Sequence, residues 1–161
     1  MSTPLLPNMG DQAIGQVFDR LVSLAMATAR FETVNQHEPK NAPGQGVNCS
    51  IWIQKIRPAR SAINATSIVV DFDMRIYTSF TQQPFDFIDP AVWSATNTLM
   101  AALTGDFQLG GLADTRNIDL LGSNGSGLSA QAGYVEIDRR MFRVMTIDIP
   151  VIFNDAFNQE Q

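Results

Sequence analysis

Cys49 is the only cysteine of the chain and His37 its only histidine. Together they are the residue types of a nucleophile and its base. A working thiolate needs an accessible, electropositive setting. Cys49 instead falls in an alternating apolar run with Ile51 and Ile53, where a thiol behaves as a small hydrophobe. His37 lies beside Glu38 and Pro39 in an aperiodic stretch. The pair reads as core and loop. Asp71 and Asp73 stand two residues apart, with Arg75 next. On a strand they share a face, where two carboxylates could hold a hard cation or act as acid and base. The favoured reading is a solvated polar face on which Asp73 pairs with Arg75. The run Gly122–Gly127 lacks the Lys-Ser or Lys-Thr of a phosphate loop and opens no helix in a G-x-G-x-x-G frame. It reads as a surface loop. No G-x-S-x-G elbow occurs, and one loop histidine makes a serine triad a poor fit. These residues point away from catalysis and imply no cofactor and no metal.

Two other groups suit contact rather than chemistry. Arg139, Arg140 and Arg143 form the densest basic cluster, at and just after an expected turn. Arginines there can grip phosphate or a partner's carboxylates. Phe80, Phe85 and Phe87 share one irregular stretch with Pro84. Loop phenylalanines either fold back over a sheet or dock into a neighbour.

Composition bounds the remaining possibilities. The chain has 161 residues, of which 45% are hydrophobic and 17% charged. A chain of this length buries roughly 70% of its unfolded surface and needs no staples. Eleven Lys+Arg against sixteen Asp+Glu give a net charge of −5, and the pI is near 4.6. Broad non-specific binding of nucleic acid needs positive surface, so it is disfavoured. An acidic ring that lets DNA pass without sticking remains compatible with this charge. One cysteine and one histidine exclude an internal disulfide and most transition-metal sites. No basic, apolar leader stands at the start, and no apolar run approaches the ~18 residues of a membrane span. The expectation is a soluble protein made inside a cell, with no membrane partner.

The elements that must position these residues follow from periodicity. Residues 1–9 hold two prolines and read as a loose N-terminal arm. From Asp11, the residues Ile14, Val17, Phe18, Leu21, Leu24, Ala25 and Thr28 line one face of a helix. Glu32 to Gly46 reads as a long loop broken by Pro39, Pro43, Gly44 and Gly46. Val47 to Ile56 alternates as a half-buried strand. Ser67 to Tyr77 does so most clearly, with Ile68, Val70, Phe72, Met74 and Ile76 on the apolar side. Asp89-Pro90 predicts an N-cap and first turn for a second helix, with Val92, Trp93, Thr96, Leu99, Met100 and Leu103 inward and Gly105 as its stop. Ile118 to Leu121 reads as a short strand. Tyr134 to Asp138, a turn at Arg139-Arg140-Met141, and Phe142 to Phe153 form a hairpin. Pro150 implies that the return strand is an edge there or leaves the sheet. Residues 154–161 read as a frayed polar tail. The sum is one α+β domain over residues 1–161: an antiparallel-rich, mixed sheet of four to five strands with two helices on one face.

That order of elements resembles a family. The amphipathic first helix is followed by strands around Cys49-Ser-Ile-Trp-Ile and Ser67-Ile-Val-Val-Asp-Phe-Asp-Met-Arg-Ile-Tyr. The helix Asp89-Pro-Ala-Val-Trp-Ser-Ala-Thr comes next, and the ending runs from Ser129-Ala-Gln-Ala-Gly-Tyr to Asn154-Asp155. Over residues 10 to 155 the chain is similar to tail terminator proteins of long-tailed bacteriophages infecting actinobacteria. The resemblance implies a non-catalytic virion protein of the tail neck, made in the host cytoplasm. It implies a homo-oligomer, a six-membered ring, that stops growth of the tail tube on its last ring. The same ring would offer a docking face to the head-side connector or stopper protein, with viral DNA passing through the lumen without specific binding. No short motif transfers, so the site residues are physical candidates: Phe85, Phe87, Arg139 and Arg140 for subunit interfaces, Asp71 and Asp73 for the lumen. The alternatives are another neck or tail ring protein (a head–tail stopper or a tail tube subunit), a soluble adaptor and a small metal-dependent enzyme.

Overall fold

The computed structural model describes residues 9–39, 42, 46–61, 65–81, 84–110, 116–123 and 125–158. Two long strands organise them. The alternation seen from Ser67 to Tyr77 extends in both directions into β3 (Ala65–Ser79), which pairs antiparallel with β6 (Arg140–Asn158) along almost its whole length. Strand β2 (Val47–Ser61) lies on the other side of β3, also antiparallel, with register shifts near Gln54 and Ala59. A three-residue strand β1 (Thr33–Asn35) adds to β2 in parallel and makes the sheet mixed. Beyond β6 come β4 (Arg116–Ile118), against Val151–Phe153, and β5 (Ser129–Ile137), against Arg140–Asp148. Among the described residues the sheet therefore has six strands rather than four to five, and the short β1 lies inside the stretch Glu32–Gly46 that reads as loop.

One face of this sheet carries the main core. Cys49, Ile51, Ile68, Val70, Phe72, Met74, Ile76, Ile147, Ile149, Val151 and Phe153 all point to it and are buried. Helix α1 (Met9–Ala27) covers it with Val17, Leu21, Val22 and Ala25, and α2 (Ile88–Gly105) with Val92, Ala95, Leu99 and Leu103. The two helices are antiparallel. Arg30, just past α1, donates to Ser94 and Thr98 (3.2 and 3.3 Å), whereas Arg20 bridges to Asp106 beyond the end of α2 (2.7 Å). The expected α+β class with two helices on one face is thus the observed architecture.

Several sequence expectations change. Trp93 is not part of the inward stripe of α2; it is 57% exposed, and Ala95 takes the inward place. Helix α2 begins at Ile88 after a 3-10 turn, Phe85–Phe87, so its cap is Phe87 and Asp89 lies inside the first turn. Of the apolar patch Ile118–Leu121, only Ile118 is strand and Leu121 is 96% exposed. The stretch from Asn154 to Asn158 is paired strand rather than frayed tail, because Ala65 and Thr66 reach it across the sheet; residues 159–161 lie outside the described residues, as do 1–8 of the expected arm. Strand β6 is not an edge at Pro150. Its register with β3 runs unbroken through Asp71↔Pro150. The Pro150 carbonyl accepts from the Asp119 N–H (2.8 Å), so its donorless nitrogen faces the side where β4 gives way to β5. A missing donor costs nothing where the neighbouring strand changes.

The glycine-rich run is a tight clasp. The buried Asp119 carboxylate accepts from the N–H groups of Gly122 (3.0 Å) and Ser123 (2.9 Å), and its carbonyl accepts from Leu128 (3.0 Å). Gly122 has φ +87, and a Cβ there would sit 2.5 Å from the Gly125 carbonyl oxygen. Only glycine fits such a position. Asp119→Ala would strand two donors, so we expect urea unfolding to show a loss of roughly 1–3 kcal/mol; an unchanged midpoint would contradict the clasp.

Candidate functional site

The sheet's second face and one end of the molecule gather the residues the sequence singles out. Cross-strand register builds the second face. It lines Trp52, Asp73, Asp148 and Ser129 in one row, and Ser50, Arg75, Thr146 and Gln131 in the next. Asp71 and Asp73 do share this face, but not as a solvated pair. Asp73 is 8% exposed and lies directly opposite Asp148. Arg75 does not pair with it. Its guanidinium stacks 5.1 Å over Trp52 and donates to Thr146 (3.0 Å). The expected Asp73–Arg75 surface pair is therefore replaced by two carboxyls facing each other across β3 and β6.

Two like charges so placed cannot both ionise cheaply. Burial, then hydrogen bonding and repulsion from Asp148, push Asp73 up to about 7. Its buried Oδ1 has no hydrogen-bond partner among the described groups, which adds to the cost of ionising it there. Asp71 is also raised, first by burial, while Arg57 at 3.7 Å pulls it back. The face also contains apolar surface. Tyr77, Phe142 and Val144 form a second small cluster, over which Ala42, Val135 and Ile137 pack. Burial pushes the Tyr77 hydroxyl up to about 12, and no described group bonds to it.

The second surface is the end where β5 turns into β6. Asp138 and Arg139 form a two-residue turn with φ +51 and +62, the mirror-image type that suits a twisted hairpin. The turn thus sits one residue earlier than hydropathy placed it. Asp138 accepts from the Ala42 N–H (2.8 Å), which brings the long loop after β1 to the same end. Phe80 donates its N–H to Met141 (3.0 Å) and packs edge-on against Tyr134 at 5.8 Å. Arg143 is not a free member of the basic cluster. It lies 4.5 Å over Tyr134 and donates to Asp89 (2.9 Å) and the Gly133 carbonyl (3.2 Å), pinning β6 to β5 and α2. Between these parts lies an apolar hollow of about 550 Å³, lined by Phe80, Thr81, Phe85, Asp86, Ile88, Asp89 and Tyr134. Beside it, sharing Thr81, a polar hollow of about 400 Å³ is lined by Ser79, Thr81, Arg139, Arg140 and Met141. Phe85 and Phe87 are 60% and 62% exposed.

The structure therefore brings Phe85, Phe87, Arg139 and Arg140 to one end and leaves Asp71 and Asp73 on the sheet face. Tyr134, Asp148 and Arg57 were not singled out from sequence, since only strand register shows what each one faces. Cys49 is fully buried, and burial pushes its thiol up to about 12; His37 is exposed, its Nδ1 3.0 Å from the Glu38 carbonyl. Among the described residues, no three Asp, Glu, His or Cys converge as metal ligands.

No protein-family profile matches the chain, and no curated protein matches it. Two solved structures align with most of the chain at low similarity. The sheath/tube terminator of an extracellular contractile injection system, PVC, in its extended state aligns with 97% of this chain at TM-score 0.45 and 14% identity. The chain spans about 60% of that protein's length. A chain of the virion of a native gene transfer agent particle aligns with 86% of this chain and 92% of its own length, at TM-score 0.42 and 15% identity.

The raised Asp73 carboxyl ties stability to pH. Between about pH 4 and 7 the folded chain holds a proton that the unfolded chain has released, so stability falls as pH rises through this range and then levels off. Asp73→Asn keeps a donor toward Asp148 without titrating. We expect it to remove most of this slope and to exceed the parent at pH 8 by on the order of 1–3 kcal/mol. The same change in unfolding free energy between pH 5 and pH 8 for the parent and for Asp73→Asn would disprove the raised Asp73 carboxyl.

Proposed function

We propose that the chain is a non-catalytic structural subunit that self-associates into a ring at the head-proximal end of a phage-type tail tube. In this reading it ends tube growth and presents a docking face to a head-side connector or stopper. The observation that carries it is a sheet left open on both sides beside an exposed aromatic–arginine end. Among the described residues, β1 covers only Asn48–Ser50 of β2, so the outer edge of β2 from Ile51 to Ala59 has no partner strand, and neither has that of β5. Ile53 and Ile56 stand 38% and 50% exposed along the first edge. A contact that joins different patches on successive copies is heterologous, and it closes into a ring when the rotation permits. The similarity of residues 10–155 to tail terminators supplies the place of that ring; six subunits and passage of DNA come from the same resemblance.

Charge on the second face is balanced rather than acidic, because Lys55, Arg57 and Arg75 act on the Asp71 and Asp73 carboxyls; the placing of Asp71 and Asp73 in a lumen rests on the resemblance alone. Arg139 supports an interface at the hairpin end. A non-glycine residue at φ +62 is uncommon and costs roughly 1–2 kcal/mol. Strain held at an exposed arginine is a pointer to function.

Electron microscopy of tubes growing with and without the protein tests the reading. One extra ring on each capped tube, with tube length held short, is the expected image. Tubes of unchanged length with no bound protein would refute it, and long cylinders of the protein alone would make it a tube subunit. Arg139→Gly separates contact from fold. It should stabilise the isolated chain by about 1 kcal/mol and reduce capping. Full capping by this variant would remove Arg139 from the interface.

A further inference from the structure

The apolar hollow at the hairpin end is walled by Phe80, Phe85, Ile88 and Tyr134, yet no described segment fills it. Phe85 and Tyr134 are 60% and 57% exposed. Its charged rim is already spent in part, since Asp89 is bonded to Arg143. Asp86 leaves the mouth slightly acidic, which suits an uncharged occupant better than an acidic one. A segment of that chemistry stands just before α1. Residues 1–8, Met-Ser-Thr-Pro-Leu-Leu-Pro-Asn, carry no ionisable side chain and place Leu5 and Leu6 between Pro4 and Pro7. Prolines fix their own φ and push the preceding residue to extended backbone. Such a segment loses little entropy on docking, and aromatic-lined grooves take prolyl segments of this kind.

We propose that the hollow receives the Pro4–Pro7 segment of a second copy of this chain. Reach excludes the same copy. Because α1 and α2 are antiparallel, α1 starts beyond the C-terminal end of α2, while the hollow lies at the N-terminal end with Ile88 and Asp89. At 1.5 Å per residue, the 18 residues of α2 and the stretch from Arg20 back to Met9 put Met9 about 40 Å from the hollow. Leu5 is four residues from Met9 and extends at most ~14 Å from it. The segment can therefore serve only a neighbour. Exchange in one direction, each copy giving its segment and receiving another, is the heterologous contact that a ring requires. This inference deepens the ring reading above and rests on it.

The test mixes two full-length single variants, Leu6→Cys and Phe85→Cys, under mild oxidation. The native Cys49 is buried and does not compete. A disulfide between the two chains must be intermolecular. Leu121→Cys is the control partner: it is 96% exposed and follows β4, which pairs with Val151–Phe153, well away from the hollow beside Tyr134. We expect the 6–85 heterodimer to form at least tenfold faster than the 6–121 heterodimer, with Tyr134→Cys as the partner should Phe85→Cys unfold by circular dichroism. Leu5→Ser combined with Leu6→Ser should weaken self-association at least tenfold in sedimentation, with the circular dichroism spectrum unchanged. Equal cross-linking rates overturn the proposal, and so does self-association that survives the double serine change. If Phe85→Ala abolishes tube capping while rings persist, the hollow serves a tube or connector protein and the proposal also fails. Tubes capped without selective cross-linking would sink this inference alone; selective cross-linking without capping would sink the tail reading and leave the exchange standing.

Discussion

The register between β3 and β6 is the constraint on which the rest depends. Because side chains alternate along a strand, one residue of slip would move Ile68, Val70, Phe72, Met74 and Ile76 from the helix-covered face to the other. Ile147, Ile149 and Val151 of β6 would then be left on the helix-covered face without them. Burying that many aliphatic side chains outweighs every local preference that opposes it. Among those preferences are a proline inside β6 and two aspartates placed opposite each other. The helices then have one surface to cover, and they cover it antiparallel, linked by Arg20 to Asp106 and by Arg30 to Ser94 and Thr98.

The same register sets what the second face must tolerate. With the apolar set committed to the helices, Asp73 has no choice but to meet Asp148, and Arg75 is carried one row further to Trp52 and Thr146. The face is neither core nor ordinary surface. Tyr77, Val69 and Ile152 are buried in it, yet Asp148 is exposed. Burial and the opposing Asp148 carboxylate raise the Asp73 carboxyl, so this face carries less negative charge than its aspartates alone would give.

At the hairpin end, rigidity and exposure meet. Arg143 draws β5, β6 and the start of α2 together, so the aromatic walls of the hollow hang from packed elements rather than from a free loop. That combination suits docking, because little ordering remains to be done when a partner arrives. Arg139 and Arg140 stand next to the hollow on a turn whose backbone is itself strained.

Periodicity in the sequence determined the α+β class, both long helices, and the strands around Cys49, Phe72 and Ile147, since each presents one apolar face at a fixed spacing. It also nominated the phenylalanine stretch and the arginine turn, because exposed aromatics and clustered arginine depart from an ordinary polar surface. Periodicity within one segment carries no information about which residue of another segment lies opposite. The Asp73–Asp148 contact, the pinning by Arg143 and the tolerance of Pro150 inside β6 were therefore decided by tertiary pairing alone. The short strands at Thr33–Asn35 and Arg116–Ile118 belong with them: three residues hold no readable pattern, and a neighbour's unsatisfied backbone groups recruit them into the sheet.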